Sequence, residues 1–298
     1  MDEPKKTILI TGATGYIGRR LCVLLAERHA VRALARDPER AKALLPASAE
    51  IVRGDMTDAA SLGAAAAGVH AVVHLAALKS DEPGIVEVNV GGARKLAAAC
   101  KAAGVRRLIN IGSQAARMAR RGAYGDTKGE SDAILNASGL EVTTLLPSVV
   151  YGPKDPGVFG KLARVASSSP VVPVIGDGQA RYQPVHVDDL CAVIEGCLRE
   201  PKTAGKTYSV GGPEAVTLEG MIDLVAARAG KSPLKLHLPG PVAMLIANVL
   251  ALVFKSPPLS RSNVLGAIQS VPDADYAAIF AELGLEPRAM AQGLNGGL

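Results

Sequence analysis

The sequence has no tryptophan and few aromatic residues of any kind, which make up only 3% of its 298 positions. Hydrophobic residues nevertheless account for 48% of the chain and charged residues for 20%, so a sizeable core can form and disorder is excluded. Such a core has to be built from Ala, Val, Leu and Ile. This composition favours parallel strands that are covered by helices, in one large domain or in a large domain with a smaller lobe.

Cysteine is also scarce, and its spacing excludes the common metal and redox motifs. The four residues, Cys22, Cys100, Cys191 and Cys197, form no CxxC pair, and no histidine nearby completes a ligand set. We therefore predict reduced, buried thiols and no metal site.

Signals for secretion, for nucleic-acid binding and for membrane spanning are absent as well. Residues 1–6 (MDEPKK) lack an apolar h-region, so we expect a cytoplasmic protein. The net charge is +5, but the basic residues are scattered and form no stripe with interleaved aromatics, so we expect no nucleic-acid partner. The apolar run Val242–Phe254 is shorter than the about 20 residues that cross a bilayer.

The first half of the chain is a regular alternation of strand-like and helix-like segments. We predict helices over Ile85–Ala103 and Lys128–Ala137, among others. We predict strands over Thr7–Thr11, Val31–Ala35, Glu50–Arg53, Ala71–Leu75, Arg107–Ile111 and Glu141–Leu146. This alternation is typical of an α/β Rossmann fold with a doubly wound parallel sheet.

After Pro147 the pattern changes, because prolines and glycines become dense and helix-like segments then dominate the tail. We predict that residues 1–152 form a dinucleotide-binding domain to which residues 184–211 return. Residues 153–183 and 212–298 would form a smaller, mostly helical lobe that holds a substrate or a partner.

A glycine-rich turn follows the first predicted strand and opens a helix, in the segment Thr11–Gly18 (TGATGYIG). Gly12 permits the tight turn, Gly15 lets the backbone approach a diphosphate, and Gly18 lets the helix pack closely on the strand. The free N–H groups and the dipole of the helix N-terminus favour bound phosphate. The strand–turn–helix context indicates a dinucleotide site.

The end of the second predicted strand favours NADP(H) over NAD(H). An acidic residue there would bind the ribose hydroxyls of NAD, but the sequence has Ala35 at this position and Arg36 after it. Arg36 is well placed for a 2′-phosphate, and Arg19 could add to the positive charge. The alternative is that Arg36 faces solvent while Asp37 caps the next helix.

Further segments resemble the short-chain dehydrogenase/reductase superfamily, in particular its extended and atypical branches. They are, besides TGATGYIG, the segments Gly54–Met56 (GDM), His74–Ala77 (HLAA), Asn89–Gly92 (NVGG), Pro147–Pro153 (PSVVYGP) and Pro184–Leu190 (PVHVDDL). Within the superfamily the pattern is similar to NAD(P)-dependent epimerase/dehydratase-like proteins. QPVHVDD and the tail segment PPLSR also resemble the dehydrogenase-like accessory subunit of respiratory complex I, a group known more for holding NADPH than for turnover.

The resemblance implies a set of cofactor-binding residues in addition to the glycines. Asp55 would reach the adenine, the HLAA segment would line the cofactor, and PSVVYGP would contact the nicotinamide end. The cofactor set is Gly12, Thr14, Gly15, Tyr16, Ile17, Gly18, Arg19, Arg36, Asp55, Met56, Leu75, Ala76, Ala77, Lys128, Pro147 and Val150.

The catalytic candidates are Tyr124, Lys128 and Ser113. Tyr124 and Lys128 form a YxxxK motif, and four residues on a helix bring both side chains to one face. We expect the ammonium to favour the phenolate, which would make Tyr124 an acid/base. Ser113 follows the fifth strand, where its hydroxyl could orient a substrate. By resemblance Lys128 also holds the nicotinamide ribose, and that role alone is the alternative.

Three functions remain open from the sequence. The first is an NADP(H)-dependent oxidoreductase or epimerase/dehydratase-like enzyme for a small carbonyl or hydroxyl substrate. The second is a non-catalytic NADP(H)-holding subunit or sensor, and the third is a nucleotide-sugar epimerase, which the missing acidic residue disfavours. Arg117, Arg120 and Arg121 form either a solvated basic loop or a contact for an anionic substrate or acidic partner.

The apolar segment Val242–Phe254 has to be covered by something, because a helix that is apolar on all sides is not stable in water alone. The substrate lobe or a second copy in a homodimer would cover it, and a membrane interface or a partner subunit is the alternative. Lys255 and Arg261 would then lie near anionic headgroups. We expect membrane association to be weak at most.

Overall fold

The computed structural model describes residues 5–79, 82–254 and 259–296. The expectations that concern residues 1–4, Lys255 and Pro257–Pro258 lie outside the described residues. The strands are β1 (Thr7–Thr11), β2 (Ala30–Ala35), β3 (Glu50–Arg53), β4 (Ala71–His74), β5 (Arg107–Ile111), β6 (Glu141–Pro147), β7 (Val150–Tyr151), β8 (Val171–Ile175), β9 (Arg181–Tyr182), β10 (Val185–His186), β11 (Thr207–Val210), β12 (Val216–Thr217) and β13 (Leu234–Leu238).

The helices lie between these strands and in the tail. They are α1 (Tyr16–Ala26), α2 (Pro38–Lys42), α3 (Ala59–Ala66), α4 (Gly92–Ala102), α5 (Ala123–Asn136), α6 (Val158–Ser168), α7 (Val187–Arg199), α8 (Leu218–Arg228), α9 (Gly240–Val253), α10 (Arg261–Ala267), α11 (Ala278–Leu283) and α12 (Met290–Gly293). A π-helical turn covers Glu87–Gly91, and short 3₁₀ turns cover Gln114–Arg117, Pro201–Thr203 and Leu294–Gly296.

Seven strands form one parallel sheet in the order β11-β6-β5-β4-β1-β2-β3, which confirms the doubly wound Rossmann fold. Successive side chains of β1 show how both faces are buried: Ile8 and Ile10 pack with α1 and α7, whereas Leu9 packs with α3 and α4. The strand order reverses between β1 and β4, so their carboxyl ends open the crevice in which such folds bind ligands.

Two helices differ from the sequence predictions, and both differences bear on the site. The helix predicted over Ile85–Ala103 is interrupted by the π turn, in which the amide of Asn89 donates to the carbonyl oxygen of Leu78 and accepts from its N–H. Such widened turns are frequent at functional sites. Helix α5 begins at Ala123, before the predicted start, so Tyr124 lies in its first turn.

The smaller lobe contains two two-stranded sheets in the described residues, β9 with β12 and β8 with β13, besides its helices, whereas β7 pairs with β10 in the segments assigned to the Rossmann domain. Its core lies between α6, α8 and the inner face of β8, where Val172 and Val174 are buried. Ile279 and Phe280 of α11, which lie in the segment 212–298 assigned to the lobe, pack instead in the core on the Rossmann side. The tail therefore contacts both parts of the protein.

Among the described residues no helix is long and apolar enough to cross a bilayer. The same residues contain no group of three His, Cys, Asp or Glu side chains arranged to hold a metal ion. All four cysteines are buried and unpaired with one another, as predicted.

Candidate active site

The glycine-rich turn is closed by contacts that leave no room for larger side chains. Gly12 has φ +72°, and a Cβ added there would lie 2.7 Å from the backbone nitrogen of Ala76. A Cβ on Gly18 would overlap the carbonyl oxygen of Gly12. The turn is therefore pressed against both the start of α1 and the segment after β4, which explains why glycine is required at these two positions.

The N-terminus of α1 provides the phosphate-binding groups that the sequence predicts. Gly15 is its N-cap and offers no side chain, so the first N–H groups of the helix, those of Tyr16, Ile17 and Gly18, are not capped by any side chain. These groups fit a diphosphate. The phenolic oxygen of Tyr16 lies close to Gly152, 2.8 Å from where a Cβ on that glycine would be.

The adenine end of the site is formed where β2 and β3 end. Arg36 follows β2 directly and is exposed, and no ion pair engages it among the described residues. Asp55 accepts hydrogen bonds at Oδ1 from the hydroxyl and the N–H of Thr57, at 2.7 and 2.8 Å. These bonds lower the pKa of Asp55, and the charge of Arg36 lowers it further. Arg36 therefore lies near the residue that the sequence assigns to the adenine.

The segment Leu75–Ala77 is fixed from two sides, which makes it a rigid wall of the site. The N–H of Leu75 donates to the carbonyl oxygen of Thr11, and the N–H of Ala76 lies 3.4 Å from the Thr11 hydroxyl. Asn89 holds Leu78 and also donates to the Thr127 hydroxyl at 3.1 Å, immediately before Lys128. The π turn thus connects the cofactor-lining segment to the helix of the YxxxK motif.

His74 is a buried, neutral part of this wall. Its Nδ1 lies 2.8 Å from the Thr11 hydroxyl, and burial, helped by the charge of Lys128, lowers its pKa to about 3. In the unfolded chain the pKa is 6.5. Below pH 6.5 the unfolded state therefore binds a proton at His74. The folded state binds that proton only when the pH falls to about 3.

We expect the free energy of unfolding to be insensitive to His74 above pH 6.5 and to fall by about 2 kcal/mol between pH 6.5 and 4.5 because of it. Urea titrations at several pH values measure this. His74→Asn, which keeps a polar atom near the position of Nδ1, should flatten the decline. The exposed His70 provides the control, and His70→Asn should keep most of the slope; an unchanged slope in His74→Asn contradicts the assignment.

Ser113 and Tyr124 meet above the carboxyl end of β5. Ser113 follows the strand, and its hydroxyl forms a hydrogen bond with the Tyr124 phenol that lowers the pKa of Tyr124. Burial raises this pKa by more, and the Asp132 carboxylate raises it as well. The sequence analysis expected Lys128 to lower the pKa of Tyr124, and this expectation does not hold. The hydrogen bond that lowers the pKa comes from Ser113, and burial raises the pKa by more. Tyr124 is therefore held protonated.

Lys128 lies beneath this pair, with only 2% of its surface exposed. Its Nζ donates to the carbonyl oxygen of Ile111 at 2.8 Å, which leaves further N–H groups for a ribose. Burial lowers the pKa of Lys128, and the Asp132 carboxylate opposes that shift. Asp132 accepts at Oδ1 from the amide of Asn110 at 2.7 Å. The lysine is thus supported from below by a buried carboxylate one helical turn further along α5.

The structure brings most of the predicted site residues to one edge of the sheet. The residues around the glycine turn, the HLAA segment, Ser113, Tyr124 and Lys128 all follow or flank the carboxyl ends of β1, β4 and β5. Pro147 ends β6, and Val150 begins β7. Met56 is largely buried, and its side chain lies next to Gly92.

Two residues that support the candidate site escaped the sequence analysis. Asn89 belongs to a segment that was noted only for its resemblance, and its hydrogen bonds to Leu78 and Thr127 give it a positioning role. Asp132 follows Lys128 by four residues, the spacing at which helical side chains interact. That spacing was a usable signal, although nothing in the sequence showed that both side chains would be buried.

The comparisons with known proteins agree with this geometry. Residues 8–211 match the model of the NAD dependent epimerase/dehydratase family. The ceramide reductase of Caulobacter vibrioides is 30% identical over 251 residues, which cover 80% of this chain and 75% of that protein. The mitochondrial NADH dehydrogenase [ubiquinone] 1 alpha subcomplex subunit 9 of Arabidopsis thaliana is 26% identical over 305 residues, or 94% and 74% of the two chains.

A solved structure shows the same fold. MoeE5 in complex with UDP-glucose and NAD superimposes with a TM-score of 0.78 and 24% sequence identity, covering 97% of this chain and 96% of that chain. The resemblance found in the sequence is confirmed by the family match, by the reductase and by the complex I subunit. The chain therefore belongs to the NAD dependent epimerase/dehydratase family.

Proposed function

We propose that the protein is an NADP(H)-dependent oxidoreductase that interconverts a ketone and a secondary alcohol on a largely apolar substrate. The observation that carries this proposal is the arrangement of Ser113, Tyr124 and Lys128, in which the phenol is kept protonated beside a hydroxyl and above a buried ammonium. A protonated phenol next to a hydrogen-bonding hydroxyl suits an acid that reduces a carbonyl group.

The chain's own residues divide the work as follows. The nicotinamide, when bound, supplies or accepts the hydride. The Ser113 hydroxyl orients the carbonyl oxygen by a hydrogen bond, and Tyr124 donates its phenolic proton to that oxygen as negative charge develops there. The Ser113 hydrogen bond favours the resulting phenolate, and Lys128 holds the ribose with the N–H groups that Ile111 leaves free.

The apolar character of the substrate is inferred from two features. A relative that shares 30% of its residues over most of the chain is named a ceramide reductase, which acts on a lipid by that name. The smaller lobe also exposes apolar side chains on α9 and on β13, where a protein for a sugar nucleotide would gain nothing from them. The observation that favours the non-catalytic alternative is the similarity to the complex I subunit.

An activity screen separates these functions. We expect NADPH oxidation with a long-chain ketone, such as an oxidised ceramide, and none with a UDP-sugar. Turnover of UDP-glucose by epimerisation would contradict the proposal in favour of the third alternative. NADPH binding in a calorimeter, together with no oxidation of NADPH by any ketone of a chain-length series, would favour the non-catalytic alternative.

The cofactor preference has its own test at Arg36. A charge-assisted hydrogen bond to the 2′-phosphate contributes about 1.5–3 kcal/mol, so we expect NADPH to bind about 10 to 150 times more tightly than NADH. Arg36→Ala should remove most of that difference and leave NADH affinity nearly unchanged. Arg40→Ala, on the exposed helix that follows, is the matched control. Tighter binding of NADH by the native protein would refute the preference.

A further inference from the structure

Helix α9 is packed along one narrow stripe and is otherwise exposed. Only Ala243 and Ala247 are buried, against Val264 of α10 and the ends of β8 and β13. Leu245 and Leu252 are 64% and 87% exposed. The protein's own lobe therefore does not cover the apolar segment, although the sequence analysis favoured that cover or a second copy. Most of the circumference of α9 presents apolar side chains to its surroundings.

The outer face of the sheet formed by β8 and β13 extends this apolar surface. The register pairs Leu234 with Val171 and Leu236 with Pro173, and these four side chains point to the same face because side chains alternate along a strand. Leu234 and Leu236 are 67% and 60% exposed. At the end of that face, Ile175 and Leu238 pack against the buried stripe of α9. The sheet face and α9 thus form one surface.

Charged side chains of β13 are directed away from this surface. Lys235 and His237 lie on the opposite face of the strand, where they pair with Glu219 and Asp223 of α8. The apolar surface, defined as α9 with Val171, Pro173, Leu234 and Leu236, therefore contains no carboxylate. In the described residues it contains one polar side chain, Asn248, whose Oδ1 lies 3.5 Å from Nη1 of Arg261.

Two arginines, one on α10 and one held next to it, have no carboxylate partner in the described ranges. Arg261 begins α10, which packs on α9, and its Nη1 lies 3.5 Å from Oδ1 of Asn248. Arg120 lies in the loop between Ser113 and Tyr124, and its backbone N–H and carbonyl oxygen are both bonded to the amide of Gln269, just after α10. Both guanidinium groups are exposed. Their charge matches a negatively charged partner.

We propose that α9 and the outer face of β8 and β13 dock onto the surface of a bilayer that contains anionic phospholipids. Exposed apolar side chains can enter the interface between headgroups and acyl chains, while nearby arginines contact phosphates. A second copy of the chain fits less well. A two-fold interface would bring identical surfaces together, and the unpaired arginines would meet no carboxylate there.

Docking in this orientation places the candidate active site close to the membrane. The Arg120–Gln269 hydrogen bonds fasten the loop between Ser113 and Tyr124 to α10, and α10 packs on α9. The same surface that would bind lipid therefore carries the loop that borders the proposed acid and its partner. The docking itself does not depend on turnover, so it is tested without an activity assay.

Vesicle co-sedimentation tests the docking with the full chain. We expect the native protein to bind vesicles of phosphatidylcholine with about one third phosphatidylglycerol, and to bind pure phosphatidylcholine more weakly. Leu245→Asn with Leu252→Asn should weaken binding to both by about tenfold or more. Arg120→Gln with Arg261→Gln should weaken binding to the anionic vesicles by about fivefold for each arginine and leave the residual binding to neutral vesicles unchanged.

Val23→Asn is the matched control, because Val23 is an exposed apolar residue on α1, remote from the surface. It should bind vesicles like the native protein. NADPH affinity and the urea midpoint should be native in every variant, which shows that each is folded. Failure of the native protein to bind, or equal binding by the double leucine variant, would overturn the proposal. So would a dimer in sedimentation velocity that the leucine substitutions dissociate, since the surface would then serve self-association.

Discussion

Replacing Tyr124 by phenylalanine should lower kcat by about 10²- to 10⁴-fold and leave the affinity for NADPH within about twofold of native. The phenolic oxygen donates the proton to the substrate, and the substitution removes only that oxygen. The ring remains, so the packing around it should stay intact. Steady-state kinetics with the best ketone from the screen, together with cofactor titration by fluorescence, measure both quantities.

A matched substitution separates the loss of the proton donor from general damage to the site. Ser113→Ala removes the hydroxyl that hydrogen-bonds the phenol, so it should raise the pKa of Tyr124 and reduce kcat less severely than Tyr124→Phe. Tyr276→Phe, at a buried tyrosine outside the site, should leave kcat native. A native activity that survives Tyr124→Phe would show that another group supplies the proton.

The parts of the candidate site whose placement the sequence indicated are those fixed by local geometry. Gly12 and Gly18 are specified by the backbone itself, because any Cβ there would collide with Ala76 or with the turn. The spacing of Tyr124 and Lys128 follows from the helical repeat alone. The alternation of segments likewise gives the parallel sheet without knowledge of any contact. Such features can be predicted from a few neighbouring residues.

The parts that escaped prediction depend on contacts between distant segments. The pKa of Tyr124 is raised because several elements bury it together, and a sequence shows none of that burial. The π turn forms around an amide that reaches Leu78, which the periodicity of Ile85–Ala103 cannot indicate. The exposure of α9 was equally hidden, since an apolar segment has the same pattern whether it is buried or not.

Lys128 depends on both kinds of feature. The local YxxxK motif determines its position, whereas contacts with other groups determine its pKa. Burial lowers its pKa, whereas Asp132, which Asn110 orients, raises it. If the ammonium holds the ribose, Lys128→Met should reduce NADPH affinity, and it should also reduce kcat because the nicotinamide is then positioned less well. The loss of charged hydrogen bonds predicts a dissociation constant about 10 to 150 times higher.

Asp132→Asn tests whether the charge of Lys128 takes part in cofactor binding. A purely structural role of Lys128 would leave the pH dependence of NADPH affinity unchanged in this variant. Without the carboxylate, the opposing effect on Lys128 disappears and its pKa falls further, so the lysine becomes neutral at a lower pH. We therefore expect NADPH affinity to decline as the pH rises in both proteins. In Asp132→Asn the decline should begin at a lower pH than in the native protein. In Lys128→Met the affinity should show no such decline. Native affinity in Lys128→Met, or an identical pH profile in Asp132→Asn, would remove Lys128 from cofactor binding and leave it as a support for Ile111 alone.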